Sequence, residues 1–162
     1  MDRDCSRRLF LGLLGCSGVA IAFAMARGAG PTQSFTVRHD PAEWKRLLGS
    51  ERYQILREAG TERAFTSPLL NEHRKGTFTC AGCALPLFSS AAKYDSGTGW
   101  PSFRKELPGA VAFRRDLSLG IIRTEEHCRR CGGHLGHVFD DGPPPTGKRH
   151  CINGLSLKFR PA

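Results

Sequence analysis

The chain has 162 residues, with 24 Lys+Arg against 15 Asp+Glu and a formal charge of +9, a size that suits one ordinary domain rather than two. At 40% hydrophobic and 24% charged, the composition excludes a disordered tail and a polytopic membrane protein. Nineteen Gly and ten Pro favour a strand-and-turn fold over a helix bundle.

The first segment, residues 1–30, reads as an export signal. The 18 residues between Arg8 and Arg27 are uncharged. Positive charges precede this apolar run, and the small-residue stretches Ala22-Phe23-Ala24 and Ala24-Met25-Ala26 resemble cleavage sites. Ser6-Arg7-Arg8-Leu9-Phe10-Leu11 resembles a twin-arginine signal, an address read by a receptor that passes folded cargo. Two other fates stand beside cleavage: retention as a membrane anchor, since the run approaches the roughly 20 residues needed to span a bilayer, and lipidation at Leu13-Leu14-Gly15-Cys16. Export implies a periplasmic destination and argues against nucleic acid as a partner. Without Arg3, Arg7, Arg8, Arg27, Asp2 and Asp4, the domain of residues 31–162 keeps 20 basic and 13 acidic residues, so it is itself basic at +7.

A helix is predicted to begin at Asp40-Pro41-Ala42-Glu43, where an N-cap acid precedes Pro at the first helical position and Glu follows three residues on. A second helical stretch covers 50–59, with Gly60 as its stop. Strands are predicted over 76–79, 111–114, 120–125, 134–139, 149–153 and 155–159. Pro143-Pro144-Pro145-Thr146-Gly147 reads as a rigid exposed loop.

The domain keeps five cysteines. Cys80-Ala81-Gly82-Cys83 and Cys128-Arg129-Arg130-Cys131 are two C-x-x-C knuckles, a spacing that lets thiolates converge on one tetrahedral zinc. The interval between them exceeds that of a zinc ribbon, so two separate turns of one sheet domain must bring them together. Two disulfides or a redox pair are the competing readings. Gly82 and Gly132-Gly133 supply the tight backbone a metal knuckle needs, and no βαβ pattern surrounds either knuckle, which favours zinc. Four thiolates leave no open position for water, so the metal would be structural. Cys151 remains as a reactive thiol or a buried inert one. The preceding Lys148-Arg149-His150 would lower its pKa if the side chains point inward.

Further along, the motifs Gly60-Thr61-Glu62-Arg63-Ala64-Phe65, Gly99-Trp100-Pro101-Ser102-Phe103, His134-Leu135-Gly136-His137-Val138-Phe139, Asp141-Gly142-Pro143 and Arg149-His150-Cys151-Ile152-Asn153 occur in one order with the two knuckles. That order resembles the B-type methionine sulfoxide reductases, which act on the R epimer, over nearly all of residues 40–161. The resemblance implies a mainly β fold of two antiparallel sheets with short N-terminal helices and a structural zinc. It also implies Cys151 as the nucleophile that ends as sulfenic acid, His137 as the acid, His134 as its neighbour, and Asn153 orienting that network. Trp100 would seat the methyl group, and Phe139 and Glu125 fall in matching segments. Taken alone, each histidine reads as a locally bonded strand residue and Trp100 as core. On a strand, His134 and His137 would face opposite sides, so both serve one site only if the backbone turns or bulges at Gly136.

One position departs from the pattern. Many members of that family carry a resolving cysteine where this chain has Thr98, so the resemblance implies an external thiol reductant, thioredoxin-like or glutathione-type, attacking oxidised Cys151. His150 also stands where an aromatic residue is more usual. The implied partners are oxidised proteins or peptides carrying methionine-R-sulfoxide. A zinc-stabilised binding module would not need Cys151, Trp100 or His137, and a cysteine hydrolase would consume no reductant.

Overall fold

The helical prediction at residue 41 is met by α1, Pro41–Glu58, whose N-cap Asp40 accepts a hydrogen bond from the Glu43 backbone N–H at 2.8 Å. The computed structural model describes residues 34–118 and 120–162, so the expected export signal lies outside the described residues. Gly49, at φ 72° and ψ 169°, breaks the helical geometry inside α1, so the two predicted stretches are two limbs of one bent element. A correction concerns the stop: Ala59, at φ 52°, takes the left-handed cap, and Gly60 follows it. Trp44, Ile55 and Leu56 are buried, and Arg57 stacks 4.9 Å over the Trp44 ring.

Nine strands follow among the described residues: β1 Gly76–Cys80, β2 Pro86–Ser89, β3 Lys93–Tyr94, β4 Ser102–Phe103, β5 Val111–Asp116, β6 Arg123–Cys128, β7 His134–Phe139, β8 Arg149–Ile152 and β9 Leu157–Pro161. They form two antiparallel sheets, a three-stranded one in the order β2-β1-β9 and a six-stranded one in the order β3-β4-β8-β7-β6-β5. The expectation of a mainly β, two-sheet fold is met. Strands β2, β3 and β4 had no prediction: they have two to four residues each, too short to show an alternation. The strand expected over 120–125 is displaced to Arg123–Cys128, and Gly120 and Ile121 are bends ahead of it. That expected over 155–159 begins two residues later, after the 3-10 turn Gly154–Ser156.

The two faces of the large sheet do different work. Strand β8 alternates half-buried and buried residues, and its buried His150 and Ile152 belong to the packed side, where Phe103 of β4 stacks 4.3 Å from Phe88 and lies 5.0 Å from Phe78 of the small sheet. With Leu56, Leu87, Leu135 and Leu157 these form the main core. Burying side chains of this size contributes about 1.5–3 kcal/mol each. Period-2 alternation then puts Arg149 and Cys151 on the opposite face.

Candidate active site

The register of the large sheet sets Tyr94, Ser102, Cys151, His137, Glu125 and Arg114 across from one another, strand by strand. Residues directly opposite in an antiparallel pair point to the same side, so Cys151 and His137 share one face. The hydroxyl of Thr98 lies 3.9 Å from the Cys151 sulfur and is bonded at 2.8 Å to Ser96, which is bonded at 2.7 Å to Ser102.

His134 joins the same side through a β-bulge. The β6–β7 register shifts between Glu126 and His127, so Leu135 is the extra residue and strict alternation fails once. Bulges re-aim side chains in this way, and the rings of His134 and His137 come to 5.5 Å. Gly136 sits at this point because a Cβ there would lie 2.0 Å from the Cys151 carbonyl oxygen. The condition the sequence set for both histidines to share a site is met one residue from the glycine it named.

Both histidines are held by carboxylates. His137 Nε2 lies 2.7 Å from Asp116 Oδ2, which also accepts from Arg123 at 2.6 Å. The Ser118 backbone N–H and the His137 hydrogen bond keep Asp116 well below the usual carboxylate range, so it is an acceptor and His137 Nε2 carries the proton between them. Burial lowers His137, with the Asp116 hydrogen bond opposing that shift. His134 Nδ1 lies 2.8 Å from Glu125 Oε1, and Arg114 also bonds Glu125. Burial pushes the Glu125 carboxyl up, but the hydrogen bonds from His134 and Arg114 outweigh it and hold the group at about 2.

A pocket of about 130 Å³ is lined by Cys151, His137, Asn153, Trp100, Phe139 and Thr61, with Gly136 and Arg123 completing it. Five of the expected site residues therefore line one cavity, and His134 stands behind His137. Asn153 is locked in orientation: its Oδ1 accepts from the Glu62 N–H at 3.0 Å and its Nδ2 donates to the Leu135 carbonyl at 3.1 Å. The Trp100 indole N–H donates to the Glu62 carbonyl at 3.1 Å. Glu62 thus ties two pocket walls together, while its carboxylate accepts from the Gly154 and Leu155 N–H groups.

The cationic run before the nucleophile behaves differently from expectation. His150 turns to the packed face and bonds the fully buried Glu126 at 2.8 Å, and Lys148 pairs with Asp140 in the open. Only Arg149 shares the Cys151 side, clamped on Asp141 by two bonds of 2.8 Å and lying 4.4 Å over the Phe139 ring. Burial raises the Cys151 thiol, and Thr98 and Arg149 oppose that rise without cancelling it.

The sulfurs of Cys80, Cys83, Cys128 and Cys131 all lie within 4.8 Å of one another, with Cys80 to Cys131 at 3.7 Å and Cys83 to Cys128 at 3.5 Å. A tetrahedron with metal–sulfur bonds of about 2.3 Å has edges of about 3.8 Å, close to the two sulfur pairs above, so this cluster could hold a metal ion. Each knuckle is a closed turn, with the Ala84 and Gly132 N–H groups donating to the Cys80 and Cys128 carbonyls at 2.8 Å.

The SelR domain family matches residues 48–161. The peptide methionine sulfoxide reductase MsrB of Thiobacillus denitrificans is 58% identical over 121 residues, 74% of this chain and 92% of the relative. The chain belongs to the MsrB family. The MsrB of Agrobacterium fabrum is 55% identical over 126 residues, covering 77% of this chain and 93% of the relative. That of Leptospira interrogans is 52% identical over 128 residues, covering 78% and 98%. Membership makes the chain an oxidoreductase. Asp116, Arg123 and Glu62 belong to the site without having been singled out. Asp116 and Arg123 lie in no recognisable motif and reach His137 only through the β5–β6 pairing, whereas Glu62 stood inside a matched motif.

Proposed function

We propose that this protein reduces methionine-R-sulfoxide in peptides and proteins to methionine, with Cys151 as nucleophile. The observation that carries the reading is the placement of Cys151 directly across from the Asp116-bonded His137, in one pocket walled by Trp100 and Phe139, in a chain of the MsrB family. A soft thiolate attacks the electrophilic sulfoxide sulfur while the oxygen takes up protons. His137 lies on the pocket wall as the proton donor, Asp116 stabilises its imidazolium form, and His134, itself held by Glu125, packs against it. The sulfoxide oxygen passes to Cys151 as sulfenic acid and methionine leaves. Trp100 seats the methyl group by sulfur–aromatic and apolar contact, and Asn153 keeps the pocket in shape.

Recovery of the thiol uses two equivalents of an external thiol, R′SH. The first attacks the sulfenic sulfur to give a Cys151–S–S–R′ mixed disulfide and water. The second releases Cys151 and gives R′S–SR′. Thr98, 3.9 Å from the Cys151 sulfur, supplies no sulfur of its own, so the reductant is thioredoxin-like or a small thiol. The four clustered cysteines would hold zinc, which suits four thiolates in a tetrahedron and serves the fold rather than the reaction. Residues 1–30 serve as a twin-arginine export signal directing the folded domain to the periplasm. Among the described residues no helix is long and apolar enough to cross a membrane.

The test follows separate R and S epimers of a methionine sulfoxide peptide with dithiothreitol, using the wild type and Cys151→Ser. Consumption of the R epimer alone, abolished by the substitution, is the expected result. Absence of turnover by folded wild type would sink the reading.

A further inference from the structure

The pocket at Cys151 has room for the end of one side chain, yet a groove of about 780 Å³ lies beside it. Its walls come from the second limb of α1, the segment after it, and the chain leading into β9. Thr61 lines both the groove and the nucleophile's pocket, and Asn153 of the pocket is followed directly by Gly154 and Leu155 of the groove. The two depressions are therefore neighbours that meet at Thr61.

The chemistry of the groove is uneven. Three cations, Arg52, Arg63 and Lys158, line it against two acids, Glu51 and Glu62. The Glu62 carboxylate is already bonded to the Gly154 and Leu155 amides, which leaves Glu51 as the acid on that wall with no hydrogen bond or ion pair among the described residues. Arg52 stands close enough to Glu62 for its charge to lower that carboxyl, yet its Nη1 is closed off from solvent and donates to no acceptor among the described residues. Arg52 lines the groove, and the planar fork of a guanidinium matches a carboxylate. Ile55, Leu69, Leu155 and Phe159 supply apolar wall between the charges.

We infer that this groove seats the polypeptide segment flanking the oxidised methionine and selects for an acidic side chain there, with Arg52 and Lys158 as its specificity residues. The inference rests on the reductase reading above. A peptide segment is the occupant this adjacency favours, since a chain that leaves a methionine inserted at Cys151 over Thr61 enters the groove. Charge complementarity then sets which neighbour is preferred.

The experiment measures kcat/KM for N-acetyl-methionine-R-sulfoxide amide and for peptides with one central methionine-R-sulfoxide, with glutamate or lysine placed in turn at each neighbouring position. Wild type is expected to favour glutamate over lysine at one or more positions on one side by about tenfold, the worth of one charged hydrogen bond, and to lose that preference at high salt. In the Arg52→Ala, Lys158→Ala double variant the preference disappears through KM, while turnover of the acetylated amide stays within about twofold. The amide rate also reports whether the variant is folded, and the salt dependence of wild type tests the inference without any variant. Equal use of acidic and basic peptides by wild type, a preference that survives high salt, or one that persists in the folded double variant would overturn it. Failure of wild type to turn over even the acetylated amide would instead remove the reductase reading, and the groove's assignment with it.

Discussion

His137 and Cys151 are direct cross-strand partners on β7 and β8, so the acid and the nucleophile are placed by sheet register rather than by loops. A one-residue slip would send either side chain to the opposite face. Burial moves the two groups apart in titration, the thiol above its ordinary 9 and the imidazole below its ordinary 6.5. Between those limits the pair holds one proton, and the thiolate–imidazolium tautomer is a constant share of that state. The expected profile of kcat/KM against pH is a broad plateau that extends below 6.5 and above 9. The Asp116 hydrogen bond raises His137 against burial, so Asp116→Asn shifts the acid limb to still lower pH and reduces kcat by about tenfold or more. An acid limb that moves upward would contradict this arrangement.

Thr98 stands 3.9 Å from the Cys151 sulfur, between Gly97 and Gly99 at φ 70° and 89°. A thiol at that position has a short path to an oxidised Cys151. Thr98→Cys is expected to lose two free thiols per turnover when substrate is added without reductant, and mass spectrometry should show an internal disulfide. Wild type should instead accumulate a sulfenic acid that a dione reagent captures. Capture of equal yield from both proteins would refute the proximity argument.

Gly136 has a backbone neighbour where any side chain would go, with the Cys151 carbonyl oxygen 2.0 Å from an added Cβ. Gly136→Ala must therefore push β7 away from β8 at the nucleophile. A loss of about 3 kcal/mol or more is expected in urea denaturation, together with loss of activity in whatever fraction stays folded.

His150 offers a contrasting case one residue from the nucleophile. Its partner Glu126 is fully buried, and burial raises that carboxyl despite the His150 bond. His150→Phe fits beside Phe88 but strands the carboxylate, which costs about 3–5 kcal/mol at neutral pH. Because protonation neutralises the stranded group, the deficit relative to wild type should shrink as pH falls toward 5. Denaturation at the two pH values checks the sign, and the folded variant should keep its turnover since His150 faces away from the pocket.

The cysteine cluster joins the end of β1 to the end of β6, with Cys83 as its more open member. Elemental analysis should find one zinc per chain. Chelation is expected to lower Tm sharply, because metal binding free energy is folding free energy at such sites. A stable, active, metal-free protein would show that the four thiols pack unaided.

Much of this molecule was legible in local chemistry. Asp40-Pro41 starts α1 because a cap and a fixed φ act within one turn, and the knuckle spacing survives because a metal turn is local. Cys151 stood out because the other four thiols of the domain pair by spacing. The family motifs added Trp100, Asn153 and His137, each of which lines the pocket. What the chain order could not express is contact across strands. Asp116 supports His137 only because β5 and β6 pair in one register, and His134 joins it only because Leu135 bulges. The cationic run before Cys151 was readable as charge, but alternation on β8 sends His150 to the core, and burial then raises the thiol that the charges alone would lower. Residue type and spacing determined which groups are available for chemistry. Sheet register and burial decided which of them meet and in what protonation state, since both depend on residues far apart in sequence.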